Sequence, residues 1–138
     1  MARLIVETRP EPCPLAFAGD SGDLVWFLSF AAVEQYGSQH ELSKATTLLR
    51  HKHNLKLRAL LRFTAADDGP EELERAWQPA APLADTAAQV RATLAGDDPQ
   101  LREYTREFPS IGPLLAEMEA MARWAAERGC DIRLTYEL

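Results

Sequence analysis

The amino-acid sequence predicts an α+β fold: three or four strands in a small sheet, with five to six helices packed mainly on one face. Three observations carry that expectation. Residues 55–63 and 130–138 alternate apolar and polar residues with period 2, as strands do, and Leu4-Ile5-Val6 is a short apolar centre near the start. The stretches between them space apolar residues three and four apart, and capping residues, glycine or proline bound them. Twenty-two alanines, most of them in those stretches, suit close helix packing. The 138 residues suffice for one compact domain, 1–138, and are too few for two.

The first strand is expected over residues 2–8, centred on Leu4-Ile5-Val6. Pro10, Pro12 and Pro14 then remove ladder donors, so regular pairing should stop. Residues 15–18 suit a brief strand or an extended loop. Asp20-Ser21-Gly22-Asp23 offers short polar side chains to the free N–H groups of a helix over 21–36, with Gly37 as its natural end. Leu24, Val25, Trp26, Phe27, Leu28 and Phe30 leave the first half of that helix almost no polar face. Such a helix is buried on most sides or covers the remainder with a partner.

Ser38-x-x-Glu41 fits a capping box for a helix running to about residue 53. Arg50, His51, Lys52 and His53 then complement its negative end, and Asn54 suits the left-handed position beyond it. Leu55, Leu57, Ala59, Leu61 and Phe63 alternate with Lys56, Arg58, Leu60 and Arg62, which predicts a strand over 55–63. The spacing of Leu57, Leu60 and Leu61 also suits a helix. Asp67-Asp68-Gly69-Pro70 is a turn. Short helices are expected over 71–77 and 83–95, the first stopped by Pro79 and Pro82. A third follows to about residue 108, capped by Asp97 or Asp98. The longest is expected over 113–128, closed by Gly129. In residues 130–138, Ile132, Leu134, Tyr136 and Leu138 face one way, and Asp131, Arg133, Thr135 and Glu137 the other. That is a half-buried strand with one wet face.

Fifteen Lys and Arg against 21 Asp and Glu give a net charge of −6, which argues against a general DNA packager. The longest uncharged apolar run, Leu24 to Val33, is too short to span a membrane. The first residues reach Glu7 before a secretory core develops. Cys13 and Cys130 belong to no paired or zinc-ligand spacing, and read as free thiols in a reducing cytoplasm.

Gly19-Asp20-Ser21-Gly22 superficially resembles the serine block of trypsin-like proteases, and the Gly-Asp-Ser block of GDSL esterases. The resemblance covers four residues at most. The protease order needs a histidine upstream of the serine, and the esterase order one near the C-terminus, whereas the last histidine here is His53. A helix cap accounts for the same residues. Among His40, His51 and His53, the His51-x-His53 pair would put both imidazoles on one side of an extended segment, where Glu41 could add an oxygen to a metal site. On a helix, positions two apart diverge, so capping is the expected role and no metal site is assigned. Neither GxGxxG nor a GKS/GKT loop occurs, so no nucleotide cofactor is expected.

Charge distribution is the strongest signal. Lys44, Arg50, Lys52, Lys56, Arg58 and Arg62 fall between Leu42 and Ala66, a window without an acid. The expected function is a non-catalytic, cytoplasmic interaction or regulatory protein, homo-oligomeric or a subunit of a larger assembly. Lys52, Lys56, Arg58 and Arg62 would meet an acidic partner, with Trp26 on the over-apolar helix as a second contact. Two readings compete. One is a small hydrolase-like enzyme using Ser21 with His40, His51 and His53. The other is a weak nucleic-acid binder on the same cations; the window's only aromatic, Phe63, falls on the apolar side and offers no stacking platform.

Overall fold

A computed structural model describes residues 2–33 and 40–138. The described elements run in order as strand β1 (Arg3–Arg9), helix α1 (Gly22–Ala32), helix α2 (Glu41–His51), strand β2 (Phe63–Ala65) and helix α3 (Pro70–Arg75). Strand β3 (Trp77–Pro79), helix α4 (Ala80–Leu94), helix α5 (Pro99–Thr105), helix α6 (Ile111–Glu127) and strand β4 (Asp131–Glu137) complete them. Six helices and a four-stranded sheet make the expected α+β fold.

The last strand is the centre of the sheet. β1 pairs antiparallel along all of β4, from Arg3 opposite Glu137 to Arg9 opposite Asp131. The other edge of β4 is shared. β2 runs parallel beside Leu134–Tyr136, and β3 runs antiparallel beside Asp131–Arg133. Ile132 and Leu134 are fully buried under the helices, as their alternation predicts. The opposite face is drier than expected. Thr135 is buried, and Arg133 is held by Glu7 at 3.0 Å and by the Leu73 carbonyl of α3 at 3.2 Å. The guanidinium groups of Arg9 and Arg133 lie over the Trp77 ring, at 4.3 and 4.5 Å from its centre.

The helical layer is built on α4 against α6. Leu83, Ala84, Ala87 and Val90 are buried on one, and Leu114, Leu115, Met118, Ala122 and Ala125 on the other. Small side chains bring the two backbones close. Arg91 to Glu119 and Arg123 to Asp85, both at 2.8 Å, flank the contact. α1 is covered by its own chain over Leu24, Val25, Phe27 and Leu28, while Trp26 stays 48% exposed.

Several boundaries depart from expectation. α1 stops at Ala32, and the expected end at Tyr36 and Gly37, like the Ser38 end of the capping box, lies outside the described residues. α2 is capped instead by His40, whose Nδ1 accepts from the Leu42 N–H at 3.1 Å. Trp77 belongs to a short strand rather than to a helix end. Pro82 sits in the first turn of α4, where a missing N–H costs nothing.

The largest correction concerns residues 55–63, of which only Phe63 belongs to a strand. Asn54 takes the left-handed conformation (φ 55°), and the Leu55 N–H returns to the Leu49 carbonyl at 2.9 Å. One helical turn follows, with the N–H groups of Leu60 and Leu61 reaching the Leu57 carbonyl at 2.9 and 3.1 Å. Leu57 and Leu60 are buried together by that turn. Their spacing of three is satisfied by a turn that needs no partner, whereas the alternation needs one along its whole length. Pairing begins only at Phe63, beside Leu134.

Candidate functional site

The window from Leu42 to Ala66 presents Lys44 and Arg50 on α2, Lys52 just past its end, and Lys56, Arg58 and Arg62 on the loop 54–62. Four of them have partners. The Lys44 ammonium lies 5.6 Å from the Tyr104 ring centre. Arg50 donates to the Ala31 carbonyl. Lys52 pairs with Asp98 at 3.1 Å. Arg62 donates from Nε and Nη2 to the Arg75 carbonyl, at 3.1 and 2.9 Å, and so caps the end of α3.

Lys56 and Arg58 differ. Both are exposed, and neither makes a hydrogen bond, ion pair or ring contact with a described residue. The Gln78 amide, buried on β3, donates to the Ala59 carbonyl at 3.0 Å and pins the loop to the sheet. Lys56, Arg58 and Arg62 border two shallow depressions. One, of about 780 Å³, is floored by Leu55, Leu57 and Leu61 and edged by Arg50. The other, of about 290 Å³, continues over Ala59, Gln78, Pro79 and Pro82. An apolar floor rimmed by cations suits a segment carrying both carboxylates and apolar side chains.

The remaining candidates are scattered. Trp26 lines neither depression. Ser21 is buried, and its Oγ accepts from the Leu4 N–H at 2.8 Å rather than capping α1. Asp20 supplies the local bond instead, accepting from the Gly22 N–H at 2.7 Å. The cleft beside Ser21, about 480 Å³, runs along β1 to Leu15, Phe17 and Met121, and no described histidine lines it. His40 stacks on Phe30, ring centres 4.1 Å apart, at one end of α2. His51 and His53 lie at the other end, about 16 Å away along eleven helical residues. Among the described residues no three or more His, Cys, Asp or Glu side chains cluster as metal ligands do. Phe63 meets Tyr136 edge-on, with ring centres 5.7 Å apart.

One constellation was not foreseen as such. Asp98 caps α5, its Oδ1 accepting from the N–H groups of Gln100 and Leu101 at 3.0 and 3.1 Å. Its Oδ2 receives His53 Nε2 at 2.8 Å and the Lys52 ammonium at 3.1 Å. The His53 bond above all, then the Leu101 N–H and Lys52, hold the carboxyl well below the usual carboxylate range, against an opposing effect of burial. The cap was legible in the sequence. The bond to His53, 45 positions away, has no local signal.

No family model, curated protein or solved structure matches the chain.

Proposed function

We propose that the protein is a non-catalytic interaction or regulatory protein of the cytoplasm, and that the loop 54–62 is its contact for an acidic partner. The observation that supports this reading is the pair Lys56 and Arg58, exposed and without partners among the described residues while the neighbouring cations are engaged. Unpaired Cys13 and Cys130 suit a reducing compartment. Titrating a fluorescent oligo-glutamate peptide, followed by anisotropy, tests the contact. The wild type should bind, more weakly as salt rises. Lys56→Glu with Arg58→Glu should weaken binding about tenfold or more, with melting unchanged, since paired surface charges are commonly worth that much in recognition. Equal binding by both proteins would overturn the assignment.

A further inference from the structure

We propose that the acidic surface met by Lys56 and Arg58 is the turn before α3, together with its first helical turn, in a second copy of this chain. The inference rests on the reading just given and names the partner of the same site. Asp67, Asp68, Glu71, Glu72 and Glu74 lie within eight residues that hold no base, and all five are exposed. Three are engaged within the chain. Asp68 accepts from the Thr64 hydroxyl, Glu72 pairs with Arg75 at 3.2 Å, and Glu74 pairs with Arg9 at 3.1 Å. Asp67 and Glu71, like Lys56 and Arg58, have no side-chain partner among the described residues.

The two patches flank β2 in the chain, the basic loop before it and the acidic turn after it. Arg62 leaves the basic loop and ends on the Arg75 carbonyl at the far end of α3. Two exposed patches of opposite sign on one chain are complementary to each other across a pair of copies. A two-fold axis between them sets each basic loop against the other copy's acidic turn, and both contacts form at once. Leu55 and Leu61, half-buried at the depression floor, supply the apolar part of the contact. A contact of this kind is small and largely ionic, so the dimer is weak and sensitive to salt.

Sedimentation velocity on the full chain tests this, with melting curves as the control for folding. The wild type should associate increasingly with concentration at about 0.05 M salt and dissociate at about 1 M, where screening shortens to a few ångströms. Lys56→Glu/Arg58→Glu alone should be monomeric, because acid then faces acid. Asp67→Lys/Glu71→Lys alone should also be monomeric, because base faces base. An equimolar mixture of the two variants should associate again, because every contact in the mixed dimer has opposite signs. A monomeric wild type at all concentrations, or a mixture that fails to associate, overturns the second copy as partner. The oligo-glutamate titration separates that failure from failure of the function itself. A monomer that still binds the peptide through Lys56 and Arg58 keeps the acidic-partner reading and loses only the dimer.

Discussion

Asp98 joins two helices through one carboxylate. It satisfies the start of α5 with Oδ1 and holds the end of α2 through His53 and Lys52 with Oδ2. Its folded pKa is depressed, so its contribution is fully present above the unfolded value of about 3.9 and is lost as pH falls toward the folded value. Between those limits the unfolded chain binds more protons, and stability rises with pH. The stability advantage of the wild type over Asp98→Asn should be full at about pH 5 and shrink toward pH 3. Urea midpoints across that range check it; an advantage that stays constant to pH 3 contradicts it. Ser21 makes a second residue-scale link. It is the acceptor for the Leu4 N–H at the free edge of β1. Ser21→Ala should cost about 1–3 kcal/mol, because a buried N–H is left without a partner. A loss below about 0.3 kcal/mol in urea unfolding would show that the bond is dispensable.

At the scale of elements, local chemistry was legible and long-range pairing was not. Asn54 and Gly129 end their helices with positive φ, and Asp98 caps α5, each as its residue type suggests. The first and last strands are seven residues long, enough for an apolar centre in β1 and a period in β4 to show. β2 and β3 are three residues long and carry no period, so nothing marked Trp77 as a strand residue. Residues 55–63 show two patterns at once, and the tertiary context chose the turn. Leu60 discriminates between them. It interrupts the alternation and would face water with Lys56 and Arg58 on a strand, yet it is 1% exposed. Leu60→Ala should therefore destabilise by about 2–4 kcal/mol, as truncation of a buried leucine does. A change below about 0.5 kcal/mol would restore the strand assignment. The candidate site followed the same division. Its cations could be counted from the sequence, but which of them lacked partners depended on Tyr104, Asp98, Ala31 and Arg75, all distant along the chain.

For the whole molecule, charge is unevenly distributed. Six cations lie in a window without acids, in a chain whose net charge is −6. Folding engages most of them and leaves Lys56 and Arg58 facing outward beside two depressions. Lys56→Glu/Arg58→Glu removes no buried area and should shift stability by less than about 0.5 kcal/mol. A larger loss would mean that these side chains support the fold. The most direct test of the central claim is a backbone amide chemical-shift map of the uniformly ¹⁵N-labelled chain, titrated with an oligo-glutamate peptide at low salt. Shifts should concentrate at residues 55–62 and Gln78, and disappear in Lys56→Glu/Arg58→Glu. Shifts centred on Trp26 or on the cleft beside Ser21, with residues 55–62 unmoved, would contradict it.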